Sequence, residues 1–127
     1  MGGWIWVGVL VAMLGWGGRP AAAMAPLLQF FDGDNFALLQ NGIKTKITLA
    51  CVGTPSLEAP GGRQARRALR EALWGKSLSL RVLSKDAYGR LVAEVFADGN
   101  VNRSLLTQGV AHLDEPYRRE CAAYLLP

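Results

Sequence analysis

Phe36-Ala37-Leu38-Leu39-Gln40-Asn41-Gly42-Ile43-Lys44-Thr45-Lys46-Ile47-Thr48-Leu49-Ala50-Cys51-Val52 places two apolar-rich runs on either side of an Asn-Gly pair. Asn-Gly supplies the positive φ angles of a tight type I′ turn, so Phe36 to Leu39 and Ile43 to Val52 are predicted to pair as a hairpin. Side chains alternate along a strand. Ile47, Leu49 and Cys51 therefore share one face, and Thr48, Ala50 and Val52 the other.

Outward from this hairpin the pattern stays strand-rich. A short first strand fits Leu27 to Phe31, and Gly53-Thr54-Pro55 ends the third strand. After Pro60-Gly61-Gly62 the period changes. Ala65, Ala68, Leu69, Ala72 and Leu73 form an apolar stripe, with Arg63, Arg66, Arg67 and Arg70 mostly on the other side, which predicts an amphipathic helix with a basic outer face. Gly75 is its natural stop. Leu78, Leu80 and Val82 alternate with Ser77, Ser79 and Arg81 in a half-buried strand, and another strand fits Arg90 to Phe96. Asp98-Gly99 makes a turn, Val101 to Gln108 reads as a short helix closed by Gly109, and Asp114-Glu115-Pro116 opens a last helix reaching Tyr124. The expectation is a mainly β, α+β domain of five strands with about three helices.

The 127 residues, half of them apolar, suffice for one domain with a real core. Trp4 to Trp16 is an uncharged apolar run followed by Ala21, Ala22, Ala23, Met24 and Ala25. A bilayer crossing needs about 20 apolar residues, whereas a secretory h-region needs about 7–15 before a small-residue cleavage site. Residues 1–25 are read as a signal peptide or, uncleaved, as an N-terminal anchor, and 26–127 as the domain. Both readings place that domain outside the cytoplasm, secreted, periplasmic or lumenal, with a membrane partner only in the uncleaved case.

Cys51 and Cys121 fit either one disulfide in an oxidising compartment or two buried thiols. Their spacing and the single histidine, His112, argue against a Cys/His zinc site. The leader's only charged side chain is Arg19. Without it the formal charge of +4 becomes about +3, a modest basicity that suits a polyanionic partner.

Four motifs in order narrow the reading: Asp32-Gly33-Asp34 after the first strand, Val52-Gly53-Thr54-Pro55 after the third, Asp86-Ala87-Tyr88-Gly89-Arg90-Leu91 at the fifth, and Asp98-Gly99-Asn100-Val101-Asn102 leading to Gln108-Gly109-Val110-Ala111. As a set they resemble the staphylococcal nuclease (thermonuclease) family across nearly all of Phe30 to Ala111. The resemblance implies an OB-fold barrel and calcium-dependent cleavage of DNA and RNA. A hard cation needs clustered carboxylates, a general base activates water, and two guanidinium groups hold the phosphate as its oxygens gain charge. By resemblance Asp34 is a calcium ligand, Asp32 its neighbouring carboxylate and the Thr54 carbonyl a further ligand. Arg90 is one phosphate-clamping arginine and Tyr88 lies beside the substrate phosphate.

The departures from the family pattern fall on the same site. Thr48 stands where the second clamping arginine is usual, Gly53 where the second calcium carboxylate is usual, and Ser56 where the family's general base stands. The chain also ends at Pro127, with Glu115 where a tyrosine is common and the final helix shortened. The resemblance thus implies weak calcium affinity or none, impaired cutting, and single-stranded DNA or RNA as the partner. Two alternatives stand beside it: an active phosphodiesterase in which a rearranged loop brings Glu58 toward Asp34 as the base, and an OB module that binds an unknown protein.

Overall fold

The computed structural model describes the backbone of residues 5–9, residues 26–114, Cys121 and Tyr124. Its strands are β1 (Ile5–Val9), β2 (Leu27–Phe30), β3 (Asn35–Gln40), β4 (Ile43–Leu49), β5 (Val52–Gly53), β6 (Leu78–Lys85), β7 (Leu91–Phe96) and β8 (His112–Leu113); its helices are α1 (Gly62–Leu73) and α2 (Val101–Thr107). The predicted hairpin is β3–β4, paired from Asn35↔Thr48 to Gln40↔Ile43 around Asn41 (φ 54°) and Gly42 (φ 78°).

The main sheet has six strands in the order β1-β6-β7-β4-β3-β2, and β5 and β8 form a separate ladder. This corrects the expected five-stranded barrel with three helices: the sheet is open, and the described residues hold two α-helices. Closure would require the two edge strands to meet. At one edge the four-residue β2 pairs along its whole length with β3; at the other, β1 takes the outer side of β6 over five pairs, Ile5↔Val82 to Val9↔Leu78. The expected last helix falls almost wholly outside the described residues.

The single strand expected over Ile43 to Val52 is broken. Ala50 N–H leaves the hairpin to donate to Ala93 O (2.8 Å), and Cys51 turns the chain with φ 73°, sending Val52–Gly53 to the second ladder. Cys51 forms a disulfide with Cys121 across 70 residues, which resolves the open choice between bridge and thiols.

Leu69 and Leu73 of α1, Phe36, Ile47, Leu49, Leu80, Val95 and Leu105 are fully buried against one another. Their burial supplies the main favourable term of folding, about 1.5–3 kcal/mol for each large apolar side chain. Asn102 is a polar knot within this core. Its Oδ1 accepts from Val95 N–H (3.0 Å) and its Nδ2 donates to Ala50 O (2.7 Å) and Ala93 O (3.2 Å), so one side chain of α2 ties the end of β4 to β7. Glu94 is buried too, ion-paired to Arg81 and accepting from the Tyr124 hydroxyl. Burial, and then that carboxylate, push the Tyr124 hydroxyl above the ordinary tyrosine range.

Candidate nucleic-acid site

The site is assembled by three chain reversals and one strand pairing. The Asp32-Gly33-Asp34 turn links β2 to β3, the 54–61 loop leads into α1, and the 86–90 turn links β6 to β7. The parallel pairing of β4 with β7, Ile47↔Leu91 to Leu49↔Ala93, sets the first and last of these side by side.

The acidic turn is closely constrained. A Cβ on Gly33 would lie 2.5 Å from Ala65 Cβ and 2.7 Å from Thr54 Oγ1, so glycine lets the turn sit directly on α1. Asp32 Oδ1 accepts from Asp34 N–H (3.0 Å) and Asn35 Nδ2 (3.0 Å), and the same Nδ2 reaches Asp32 Oδ2 (3.2 Å) and Asp34 Oδ1 (3.2 Å). Thr54 Oγ1 also donates to Asp34 Oδ1 (3.1 Å). Burial first, and then the adjacent Asp32 carboxylate, push the Asp34 pKa from 3.8 up to about 7.

These residues do not fit a tight calcium site. Ca²⁺ takes six to eight oxygens, several of them charged. Here the amide of Asn35 directs its N–H groups at both carboxylates, and no group of three His, Cys, Asp or Glu gathers among the described residues. Gly53 adds no oxygen of its own side chain. It pairs with His112, and a Cβ there would lie 3.0 Å from His112 Nε2 and 3.4 Å from Cε1. The imidazole therefore covers the position at which the family pattern has a carboxylate. Thr48 Oγ1 donates to Asn35 Oδ1 (2.6 Å). Ser56 and Glu58 are exposed in the loop before α1.

On the basic side, Asp86 organises the turn. Its Oδ1 accepts from Tyr88 N–H (2.8 Å) and Arg90 N–H (2.9 Å), and its Oδ2 from Arg90 Nε (2.7 Å). Desolvation opposes ionisation of Asp86, but the bonds from Arg90 and Tyr88 together hold its carboxyl below the usual range. This ion pair uses Nε, so the guanidinium is aimed while its terminal nitrogens remain available to an anion. The Tyr88 ring is 85% exposed and lies 5.6 Å from the Arg90 guanidinium carbon.

Arg90 and Asp32 meet in one cleft of about 220 Å³, joined by Asn35 and Lys46; a neighbouring hollow of about 400 Å³ is lined by Lys44, Lys46, Lys85 and Tyr88. The structure thus brings Asp32, Asp34 and Thr48 together through Asn35, joins Thr54 to Asp34, sets Arg90 in the cleft that Asp32 and Asn35 line, and leaves Tyr88 in the neighbouring hollow. Sequence reasoning missed Lys46, Asn35 and His112. Strand alternation contained the signal for Lys46, two residues before Thr48 on the same face; nothing local signalled that His112 would cover Gly53.

The sequence model of the family described as "Staphylococcal nuclease homologue" matches residues 46–125. An "Uncharacterized endonuclease" of Escherichia coli O157:H7 is 26% identical over 96 residues, covering 74% of this chain and 63% of that protein. "Endonuclease YncB" of Bacillus subtilis (strain 168) is 31% identical over 96 residues, covering 68% and 46%. "Probable staphylococcal-like nuclease CAN1" of Oryza sativa subsp. japonica is 36% identical over 69 residues, covering 54% and 21%. The chain thus spans less than two thirds of the length of each of these relatives. The match to the family model over most of the chain shows that this protein belongs to the staphylococcal nuclease homologue family.

Proposed function

We propose that this chain is an exported member of the family that grips the sugar-phosphate backbone of single-stranded DNA or RNA and has lost most of the family's cutting power. The observation that carries the reading is a basic half-site that keeps one of its two arginine positions beside a dismantled acidic one. Arg90 is aimed by Asp86 into a cleft shared with Lys46. Asn35, which lines the same cleft, is bonded to both carboxylates, and His112 covers Gly53.

Each group has a stated part. Arg90 offers a planar fork to a phosphate, Lys46 adds a second cation, and the exposed Tyr88 ring offers a stacking face to a base. Thr48 contributes a hydroxyl already engaged with Asn35 where the family pattern has a guanidinium. A missing general base costs about 10²–10⁴ in rate, and a missing preorganised donor about 3–4 kcal/mol. Calcium chemistry is not assigned to this chain, because the oxygen donors present are too few.

Export is supported by the apolar run before the alanines at 21–23 and by the Cys51–Cys121 disulfide, since such bridges persist in oxidising compartments. No helix among the described residues is long and apolar enough to cross a membrane.

The test is fluorescence anisotropy with a labelled oligothymidylate, with Arg90→Ala as the control. Binding that weakens with salt and falls at least tenfold in Arg90→Ala supports the reading. A metal-dependent cleavage abolished by both Asp34→Ala and Arg90→Ala would replace it with a working phosphodiesterase, in which Glu58 would be the first base to examine.

A further inference from the structure

Four arginines outside the Arg90 cleft lie together on α1. Arg63 lies three and four residues before Arg66 and Arg67, and Arg70 four and three after them, so the four share one face of α1. With Phe30 of β2 they line a hollow of about 520 Å³, larger than the Arg90 cleft. Among the described residues none of the four has an ion-pair partner, whereas Arg81 pairs with Glu94 and Arg90 with Asp86. The helix's own carboxylate, Glu71, lines a different hollow with Lys76 and Asp98. Arg70 instead lies 4.8 Å over the exposed Trp74 ring.

A solvated helix face normally mixes charge signs. Four like charges around one concavity repel each other, and a polyanion would relieve that repulsion. Phe30 adds an aromatic wall, held by stacking on Phe36 at 6.3 Å. Guanidinium groups around an aromatic ring suit a single strand, with phosphates on the cations and a base on the ring. The hollow also has a fixed relation to the first site. Gly33 seats the acidic turn on Ala65 of α1, and Phe30 lines this hollow while the next residue, Phe31, lines the Arg90 cleft. Phe36, the cross-strand partner on which Phe30 stacks, also lines the Arg90 cleft, so the two concavities adjoin at the β2–β3 pair.

We propose that the α1 arginine face with Phe30 is a second subsite for single-stranded nucleic acid, engaging the backbone of the same strand that the Arg90 cleft holds. The proposal rests on the nucleic-acid reading of that cleft and extends it from one phosphate to several nucleotides.

The test measures binding of a fluorescein-labelled 20-nucleotide oligothymidylate across a salt series. The variants are Arg63→Gln/Arg66→Gln/Arg67→Gln/Arg70→Gln, the same four positions changed to Lys, and Arg90→Ala, each with its fold checked by circular dichroism. The glutamine variant is expected to bind at least tenfold more weakly at low salt. Its slope of log affinity against log salt should be shallower by about 2–3, from roughly 0.7 for each phosphate no longer neutralised; the lysine variant keeps most of the slope. Unchanged affinity and slope in a folded glutamine variant, with weaker binding by Arg90→Ala, would overturn this subsite and leave the cleft reading standing. Weaker binding by the glutamine variant with unchanged binding by Arg90→Ala would remove the cleft reading and overturn the two-site path, leaving the arginine face as a nucleic-acid site by itself. Failure of the unmodified chain to bind the oligonucleotide overturns both. Binding to phosphatidylglycerol vesicles without binding to oligothymidylate would overturn the subsite and reassign the arginine face to an anionic membrane surface.

Discussion

Asp34→Asn should stabilise this protein above neutral pH and leave it nearly unchanged in acid. The Asp34 carboxyl titrates near 7 in the folded chain and at 3.8 as a free side chain, raised first by burial and then by Asp32. Below pH 3.8 both states are protonated and the site carries no penalty. Between that value and about 7 the folded state holds the extra proton, so stability falls as pH rises; above about 7 the loss is complete. Taken whole, the shift would amount to about 4 kcal/mol at 1.36 kcal/mol per pH unit. The carboxylate is only partly buried, and solvent screening reduces this to about 1–2 kcal/mol. Asparagine keeps an acceptor for Thr54 Oγ1, gains a donor toward Asp32, and cannot ionise. Urea denaturation at pH 4 and pH 8 measures the effect. The variant should gain about 1–2 kcal/mol on the parent between the two pH values. Parallel curves for the two proteins, or a less stable variant at pH 8, would refute the buried-pair account.

Other consequences follow from single contacts. Reducing Cys51–Cys121, or replacing both by Ala, opens a loop across 70 residues and should cost about 2–4 kcal/mol, a fall of about 10–20 °C in the calorimetric midpoint. Asn102→Ala leaves Val95 N–H and the Ala50 and Ala93 carbonyls without their side-chain partner, and should cost about 2–4 kcal/mol in urea unfolding. Gly53→Asp meets the His112 ring and should destabilise by about 1–3 kcal/mol, with His112→Ala in the same chain recovering most of the loss; equal stability of the single and double variants would contradict the packing described.

The parts of the fold legible in the sequence were those encoded locally. Asn41-Gly42 adopts the positive φ angles its residue types favour, and the apolar stripe of α1 faces the core at Ala65, Leu69 and Leu73. The open sheet was not legible, because nothing within its edge strands, Ile5–Val9 and Leu27–Phe30, says whether those edges meet. The strand break at Ala50–Cys51 depends on partners 43 or more residues away, Ala93 and Cys121, so the run through Val52 looked continuous. The site divides in the same way. Asp32, Asp34, Tyr88 and Arg90 belong to short motifs tied to their own turns. Asn35, Lys46 and His112 owe their places to strand pairing: β3 with β4, β4 with β7, and β5 with β8.

The most direct test of the central claim is cleavage of fluorescent single-stranded DNA and RNA by the full chain, with calcium and then with chelator, alongside anisotropy on the same strands. The account predicts strands bound in a salt-sensitive way and left uncut, or cut no faster than about 10⁻² of the rate of a family member that keeps its general base. Rapid calcium-dependent cutting that chelator stops would contradict it, because Asp34, Asn35 and His112 would then have to rearrange into a site that this structure does not contain.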